Sequence, residues 1–385
     1  FGMKEFDLFK LIEVAPEYKN LAGITNDEVS EVYDYLLKAL HVYKNGGTAA
    51  ELQAAYEALE PLYTALNAKK GNVLNGVYHI KFGGAPIFVA HSPALEGLTG
   101  AGNPGYRLFD ATTTNTNSSN NNKRLQDEAI AAKVAGDELF TIVPNSDITG
   151  YTISAQGLYM QTTSGPSSWS VQKFDTDEAK AGVYLIEEVS EGVFKLKSNK
   201  SGTQYVNDWG PVFGNDEYNK ANLSTFSFTP VTEYTLTVPT SGVTTLCLPF
   251  NVVLPEGVTA YEANLDKKKN YTGYALEAVA SAGETLAKNT PVIIKATAAD
   301  YTFTITMDEE GAKQATANNV LSSGLIKTTV APANTKYAFD GENFNLITAN
   351  TEVAANQCWM ELSENCGSVI YGGTPAYILT TDITN

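Results

Sequence analysis

The sequence predicts a mainly β, multidomain protein that begins with a small helical bundle. Apolar residues at helical spacing are confined to residues 1–72. From residue 73 onward, short alternating segments are separated by Gly, Ser, Asn and Asp, which is the pattern of strands and turns. The chain has 385 residues, a length that corresponds to about two to four domains. We therefore divide it into a helical bundle over 1–72, a central domain over 73–232 and a C-terminal domain over 233–385.

The helical prediction rests on two capping boxes, Thr25 with Glu28 and Thr48 with Glu51, each of which opens an apolar stripe. A shorter segment over residues 6–13 is expected to supply a third helix. The run over 39–52 resembles the FIVAR-like three-helix modules that space domains in bacterial surface proteins, which implies a spacer. The two stripes contain Val29, Val32, Tyr33, Leu36, Leu37, Leu40 and Tyr43, then Leu52, Tyr56, Leu59, Leu62, Tyr63 and Leu66.

The central domain contains three weak repeats, each with an opening, a second and a closing strand. Three units with one strand order predict a closed, threefold architecture, because a single unit cannot bury its own apolar face. This is the pattern of a β-trefoil, in which Tyr78, Tyr151 and Phe194 take equivalent positions about one axis. The openings cover 76–80, 150–153 and 192–196, the second strands 87–89, 158–160 and 204–206, and the closing strands 139–144, 182–186 and 226–230.

The repeat around residues 198–207 resembles the ricin-type trefoil modules of surface and secreted proteins of Bacteroidota. Its Ser-Gly-Thr-Gln-Tyr-Val-Asn run is similar to the S-G-x-Y-L strand pair of that family. The sugar-binding members end each unit in a Q-x-W triplet, whereas the third unit here has Ser224-Thr225-Phe226. The resemblance implies a trefoil fold and a sugar-binding role. The missing Q-x-W triplet argues against the sugar-binding role and does not affect the fold.

A carbohydrate site needs an aromatic face and a few planar polar groups. The segment over 207–219 has both kinds, and we expect Trp209, Asn207, Asp208 and Tyr218 to form a ligand-binding site for one sugar residue. The alternative is that Trp209 folds back and plugs the end of the barrel. A weaker candidate of the same kind is Trp169, with Tyr159 and Gln161.

Residues 233–385 again alternate between strands and turns. Their phrases Thr245-Leu246-Cys247-Leu248-Pro249-Phe250, Pro255-Glu256-Gly257-Val258-Thr259-Ala260-Tyr261 and Lys288-Asn289-Thr290-Pro291-Val292-Ile293-Ile294-Lys295 occur in that order. Together they resemble the C-terminal β-sandwich module of Bacteroidota surface proteins. The resemblance implies a supporting or adhesive module and assigns no catalytic residue.

Catalytic and metal-binding patterns are not expected. None of His41, His79 and His91 stands at a motif spacing from a nucleophile or a carboxylate. The acidic clusters at 175–178 and 215–217 lack the spacing of a calcium loop and are interpreted as solvated turns. The cysteines Cys247, Cys358 and Cys366 are expected to be free thiols, the alternative being a pair between Cys358 and Cys366.

The charge and hydropathy of the chain exclude further classes of function. It has 43 acidic and 26 basic side chains, a net charge of −17, and its only arginines are Arg107 and Arg124. Such a chain is a poor partner for nucleic acids, which bind to basic surfaces. No apolar run of 18 residues is present, so no transmembrane segment is predicted.

These observations together predict a non-catalytic carbohydrate-binding protein, exported to the outer cell surface or the medium of a bacterium by a signal that is not in this chain. No cofactor and no metal are expected, and the partner is a glycan or polysaccharide. One alternative is an adhesin-like structural or protein-binding protein whose trefoil has no sugar site. Another is the accessory C-terminal region of a larger glycan-degrading protein with an upstream catalytic domain.

Overall fold

The computed structural model describes residues 26–70, 74–92, 105–110, 138–145, 150–161, 172–190, 192–198, 204–208, 213–217, 224–268, 271–341 and 344–362. The predicted helix over 6–13, and Trp169, Trp209, Tyr218 and Cys366, lie outside these ranges. In the described ranges the chain has two α-helices followed by β-strands that form several sheets. The predicted fold class, mainly β with helices at the N-terminal side, is confirmed.

The helices α1 (Asn26–Lys44) and α2 (Ala49–Lys70) pack against each other as a hairpin. Val32, Leu36 and Leu59 are buried between them, as their spacing predicts. Leu37 is 61% exposed, so its assignment to the core stripe is wrong. It lies one position after Leu36, which turns its side chain about 100° away from the buried face.

The second capping box is present at the start of α2. The backbone N and the Oγ1 of Thr48 both donate to Glu51 Oε2 at 2.8 Å, and Glu51 N donates to Thr48 Oγ1 at 3.3 Å. These bonds satisfy backbone N–H groups that have no partner inside the helix.

We expect Thr48→Ala to destabilise the helical hairpin by about 1 kcal/mol, because the cap residue and its reciprocal bond are both lost. Thermal melting followed by the helical circular-dichroism signal measures this. Thr64→Ala is the matched control, since Thr64 is an exposed residue inside α2 and alanine is the better helix former there. Equal losses in the two variants would contradict the capping role.

Within the described ranges, the central region contains twelve strands, four in each predicted unit. The first unit has β1 (Gly76–Phe82), β2 (Ala85–Ser92), β3 (Gly105–Asp110) and β4 (Phe140–Pro144); the second has β5 (Tyr151–Ala155), β6 (Leu158–Met160), β7 (Lys173–Asp175) and β8 (Tyr184–Ser190); the third has β9 (Val193–Ser198), β10 (Gln204–Asp208), β11 (Phe213–Glu217) and β12 (Phe226–Val231). A short 3-10 helix, Glu178–Lys180, precedes β8.

The first and last strands of the three units close a six-stranded barrel. Within units, β1 pairs with β4, β5 with β8 and β9 with β12; between units, β4 pairs with β5, β8 with β9 and β12 with β1. The remaining strands form the hairpins β2–β3, β6–β7 and β10–β11. This is the connectivity of a β-trefoil, as the repeats predict.

One core fills the barrel, and its members show the threefold relation of the units. Ile80, Ile153 and Leu196 each stand two residues after Tyr78, Tyr151 and Phe194, and all three are buried in this core. Tyr78, Tyr151 and Phe194 likewise belong to it or pack against it, each from the first strand of a unit. Their predicted equivalence agrees with the pairing of the strands.

The sequence predicts no third strand in any of the three units. In the third unit, that strand contradicts the predicted solvated turn at residues 215–217. Residues 215–217 form part of β11 rather than a solvated turn, because their backbone pairs with β10 from Glu217↔Gln204 to Phe213↔Asp208. Strand pairing there outweighs the turn preference of the run Gly214-Asn215-Asp216.

The C-terminal region contains fourteen strands within the described ranges. They are β13 (Glu233–Val238), β14 (Val243–Leu246), β15 (Asn251–Val253), β16 (Thr259–Lys268), β17 (Tyr271–Ala280), β18 (Thr285–Leu286), β19 (Val292–Lys295), β20 (Ala299–Thr306), β21 (Leu321–Gly324), β22 (Thr328–Val330), β23 (Lys336–Phe339), β24 (Phe344–Leu346), β25 (Thr351–Val353) and β26 (Gln357–Glu361).

These strands form three stacked four-stranded sheets and a two-stranded ribbon. The sheet orders are β13-β20-β15-β18, β14-β19-β16-β17 and β21-β26-β23-β24, and the ribbon is β22-β25. The first two sheets share one core around Phe303, and the second and third share another around Tyr337. Ile293 belongs to the second core, while its neighbours Val292 and Ile294 belong to the first. The sandwich is therefore doubled, with a middle sheet that is buried on both faces.

The trefoil joins this region without a linker. Strand β12 ends at Val231 and β13 begins at Glu233, and the carbonyl of the intervening Thr232 accepts a bond from Ile305 N at 2.8 Å. Val77 of the barrel is a member of the first sandwich core. Buried contacts thus cross the predicted boundary at residue 232, which itself stays a prediction.

Candidate functional site

The three hairpins of the trefoil meet as a cap on the barrel. Strand β3 pairs with β7 through Tyr106↔Phe174, and β11 contacts β3. Phe213 of β11 is fully buried in the trefoil core, and its carbonyl accepts a bond from Gln172 N at 2.7 Å. Each hairpin is therefore held by the next one, and two of the predicted sugar-binding residues, Asn207 and Asp208, lie on the third hairpin.

Asn207 and Asp208 end strand β10, opposite Gly214 and Phe213 of β11. The side chain of Asn207 is buried, and its Oδ1 accepts bonds from Ser224 N at 2.6 Å and from Ser224 Oγ at 2.8 Å. Ser224 Oγ in turn accepts a bond from Asp208 N at 2.9 Å. These three bonds tie the end of β10 to the chain that enters β12.

Of the predicted site residues, the structure therefore brings Asn207 and Asp208 together at the end of one strand. Asp208 is half-buried there, while the amide oxygen of Asn207 faces Ser224. Trp209 follows directly in sequence, and it and Tyr218 lie outside the described residues. The assignment of these four residues to a sugar site stays a prediction.

Ser224 is a neighbour of the candidate site that the sequence did not indicate. It lies 17 residues from Asn207, and the sequence distinguishes its triplet with Thr225 and Phe226 only by the departure from Q-x-W. Spacing alone carries no signal for such a contact, because strand β11 stands between the two partners in the sequence.

The second hairpin carries a buried polar network. Tyr184 Oη donates to the carbonyl of Gln161 at 2.6 Å and accepts from Gln172 Nε2 at 2.8 Å. Tyr184 is completely buried, and burial raises the pKa of its hydroxyl far above the ordinary value. The network fixes the two ends of the β6–β7 connection, where Gln161 N also donates to Lys173 O at 2.9 Å.

The surface of the second hairpin is charged. Lys180 Nζ lies 2.9 Å from Asp175 Oδ2 and 3.7 Å from Asp177 Oδ2. The bond from the Asp177 backbone N and the one from Lys180 hold the pKa of Asp175 below its usual range. Tyr159 is half-buried beside Glu178, and its pKa is raised by burial and then by that carboxylate. Of the weaker candidate site, Tyr159 and Gln161 lie on this hairpin, whereas Trp169 lies outside the described residues.

The first hairpin presents an aromatic pair that the sequence did not indicate. His91 and Tyr106 face each other across β2 and β3, with ring centroids 5.2 Å apart and planes at 65°. The guanidinium of the next residue, Arg107, is buried, and its Nη1 donates to the carbonyl of Tyr106 at 2.8 Å. Burial lowers the pKa of Arg107. The guanidinium of Arg107 therefore stabilises the backbone of this hairpin from inside the protein.

The three histidines contact neutral groups. His41 lies beside the side-chain amide of Asn45, His79 Nδ1 is 3.2 Å from the carbonyl oxygen of Glu138, and His91 packs on Tyr106. None of these neighbours is a nucleophile that an imidazole would activate. The geometry of the described part of the chain thus offers no triad around them.

Glu262 is a buried carboxylate of the C-terminal region, and its hydrogen bonds are internal. Its oxygens accept bonds from the backbone N and the hydroxyl of Thr316 and from the side-chain amide of Asn264. These donors fix the long connection between β20 and β21 to the middle sheet. The carboxylate therefore has a structural role.

Cys247 and Cys358 are buried free thiols. Burial raises the pKa of Cys247 to about 11, and burial together with the neighbouring Cys247 raises the pKa of Cys358 well above its ordinary value. Cys247 Sγ donates to Ser323 Oγ at 3.3 Å, and Cys358 Sγ to the carbonyl of Leu246 at 3.3 Å. Since the thiolate is the reactive form, both groups are inert in the folded protein.

We expect a thiol reagent to modify neither Cys247 nor Cys358 in the native protein and all three cysteines after unreduced unfolding. Peptide mass spectrometry with an alkylating reagent distinguishes the sites. Rapid native modification of Cys247 would contradict the burial of its thiol. Recovery of only Cys247 after unfolding would show that Cys358 and Cys366 had formed a disulfide.

The described residues contain neither a metal-binding cluster nor a membrane-spanning helix. No group of three or more His, Cys, Asp or Glu side chains within the described ranges is arranged to hold a metal ion. In the same part of the chain, neither helix is long and apolar enough to cross a membrane.

Comparisons with known proteins are sparse. No protein-family model and no curated protein matches the chain. A solved structure described as "SeviL bound to asialo-GM1 saccharide" is 13% identical over 41% of this chain and 98% of that chain, with a TM-score of 0.25. A TM-score this low does not establish a shared fold, so the trefoil assignment rests on the strand pairings alone.

Proposed function

We propose that this chain is a non-catalytic glycan-binding protein whose binding site lies at the β10–β11 hairpin of the trefoil. The observation that carries the proposal is the set of bonds among Asn207, Asp208 and Ser224. They hold the end of β10 at the point where the chain enters the segment that contains Trp209. A binding residue on a segment whose base is fixed in this way is pre-organised for its ligand.

The four predicted residues take distinct roles in this proposal. Trp209 stacks on the apolar face of a pyranose, and the half-buried carboxylate of Asp208 accepts bonds from its hydroxyls. Tyr218 adds a second aromatic edge. Asn207 is a positioning residue, because its amide oxygen is already bonded to Ser224. Stacking and a few bonds to one sugar correspond to a dissociation constant around the millimolar range, or about −4 kcal/mol.

The proposal extends to the cellular setting. The resemblance of the helical, trefoil and C-terminal regions to surface modules of Bacteroidota supports an exported protein, displayed on the cell surface or secreted, whose partner is a polysaccharide. Weak binding to single sugars suits such a setting, since many displayed copies gain avidity on a polymer. We propose no enzymatic activity, cofactor or nucleic-acid partner. The chain can equally serve as the accessory region of a longer glycan-degrading product.

The experiment is retention of the protein on immobilised polysaccharides, chosen from a glycan array. We expect Trp209→Ala to abolish retention and to leave the melting temperature nearly unchanged. Trp169→Ala is the matched control, because it removes a tryptophan that stands between β6 and β7 in the sequence and is not one of the four proposed binding residues, so it is expected to retain binding. Acrylamide should quench the fluorescence of Trp209, and the ligand should protect it.

Two outcomes would contradict the proposal. A loss of stability of ~3 kcal/mol or more in Trp209→Ala would identify the indole as part of the core. Absence of binding across a broad panel would favour the second candidate, an adhesin-like structural or protein-binding role. Ser224-Thr225-Phe226 in place of Q-x-W is the observation that favours this second candidate.

A further inference from the structure

The turn between the two helices contains an asparagine followed by glycine, a pair with its own chemistry. Asn45 and Gly46 are both exposed, and Gly46 has φ +68° with open space around its Cα. Gly46 N donates to the carbonyl of Tyr43 at 3.3 Å, beyond the usual hydrogen-bond range of about 2.7–3.2 Å. This backbone nitrogen is therefore weakly held and accessible to the side chain that precedes it.

The side chain of Asn45 also has a specific neighbour. Its Nδ2 lies 3.2 Å from Nδ1 and 3.1 Å from Nε2 of His41, one helical turn earlier. Nδ2 is the atom that leaves when an asparagine cyclises onto the next backbone nitrogen. The amide nitrogen itself is only a donor, but in the tetrahedral intermediate formed by attack of Gly46 N it becomes an amine. An imidazolium at this distance is able to donate a proton to that amine as a general acid.

We propose that Asn45-Gly46 is a self-modification site, at which the chain deamidates with His41 as the proton donor. Gly46 N bonds to Cγ of Asn45, the bond from Cγ to Nδ2 breaks, and Nδ2 leaves as ammonia with the proton from the imidazole. The proton of Gly46 N is released to water and restores the imidazolium through solvent. Water then opens the cyclic imide, and the products are aspartate and isoaspartate at residue 45.

A second Asn-Gly pair in the chain serves as an internal comparison. Gly76 follows Asn75 and is the first residue of β1, where its Cα pairs with Ile142 of β4. A Cβ on Gly76 would lie 3.4 Å from the ring of Tyr78, so the backbone there is both paired and packed. The strand holds Gly76 N in an extended arrangement that keeps it from reaching Cγ of Asn75.

Conversion at Asn45 would alter the turn as well as its charge. Gly47 N donates to the carbonyl of Val42 at 3.0 Å, and a Cβ on Gly47 would lie 2.5 Å from Val42 Cγ1. Isoaspartate inserts one extra carbon into the main chain directly before this close approach. Each conversion also adds one negative charge at the C-terminal end of α1, which is unfavourable for the helix dipole.

The test is incubation of the full chain at neutral pH in ¹⁸O-labelled water, both folded and unfolded in urea. Peptide mass spectrometry measures the mass increase of about 1 Da per deamidation in ordinary water, or about 3 Da with the heavy oxygen, at residues 45 and 75. The variant His41→Gln keeps a polar side chain that cannot donate a proton in this way. Circular dichroism confirms that this variant retains its helices.

We expect residue 45 to convert much faster than residue 75 in the folded protein, and the two to convert at similar rates in urea. His41→Gln should slow folded conversion at residue 45 by about tenfold, less than a buried general acid achieves because both groups are exposed. It should leave the rate in urea unchanged. Equal folded rates at residues 45 and 75, or an unchanged folded rate in His41→Gln, would overturn the proposal.

Discussion

Gly324→Ala is expected to lower the free energy of unfolding by about 3 kcal/mol. Gly324 ends β21 and pairs with Gln357 of β26. A Cβ at this position would come closer than 3.0 Å to the carbonyl oxygen of Gln357, a separation that real Cβ atoms essentially never show. Since both partners are main chain within one sheet, the strands themselves must separate to admit the methyl group. Urea unfolding followed by tryptophan fluorescence measures the loss.

The matched control is Gly283→Ala, at a turn glycine with φ +82° and no atom within 4 Å of an added Cβ. The only expected cost of this variant is that of placing an alanine at a positive φ, about 1 kcal/mol. The difference between the two variants isolates the steric contact. Equal losses would mean that the third sheet yields locally and that β21 and β26 are not held as tightly as their pairing indicates.

Tyr184→Phe is expected to cost about 2 kcal/mol, because it removes a buried hydroxyl that joins two partners. The carbonyl of Gln161 loses one of its two donors, at 2.6 Å, and Gln172 Nε2 loses an acceptor at 2.8 Å but keeps its bond to the Gln161 carbonyl at 2.5 Å. Tyr159→Phe is the control, since Tyr159 is half-buried and its hydroxyl has the exposed carboxylate of Glu178 as its partner. We expect that variant to change the free energy of unfolding by less than about 0.5 kcal/mol.

The same hydroxyl predicts an alkaline loss of stability. Burial raises the pKa of Tyr184 in the folded state above the value of about 10 that it has when unfolded. The folded state therefore keeps a proton that the unfolded state releases. This contribution to stability is complete below about pH 10 and falls as the pH rises above it, by up to about 1.4 kcal/mol per pH unit. Stability measured between pH 9 and pH 11 should fall less steeply in Tyr184→Phe, and identical slopes would contradict this linkage.

Much of the fold was predictable because most strands carry the alternation that burial on one face imposes. The opening, second and closing strands of all three trefoil units occur where the repeats place them. The third strands were missed for a physical reason: β7 has three residues, and β11 contains Gly-Asn-Asp, whose local preference is for a turn. Hydrogen bonds to an adjacent strand stabilise the extended backbone that the local sequence does not favour.

The hydrophobic pattern of the sequence also did not predict that the C-terminal sandwich is doubled. Strand β14 is buried at all four positions, so it shows no alternation between an inner and an outer face. A continuous apolar run is consistent with burial on both faces, but it does not reveal which later strands cover the second face. At the candidate site, the residue types of Asn207 and Asp208 were visible in sequence, whereas their bonds to Ser224 depend on strand pairing.

The one-residue connection between β12 and β13 restricts the orientation of the trefoil relative to the C-terminal region. Modules joined by long linkers lose rotational freedom when they bind, and their effective concentration at a second site depends on linker length. Here Thr232 is fixed by Ile305, and Val77 is buried in the neighbouring core. The direction of the hairpin cap is therefore fixed by its attachment to the C-terminal region. In the glycan-binding role that we propose, copies anchored through that region would present their caps in parallel to a polysaccharide.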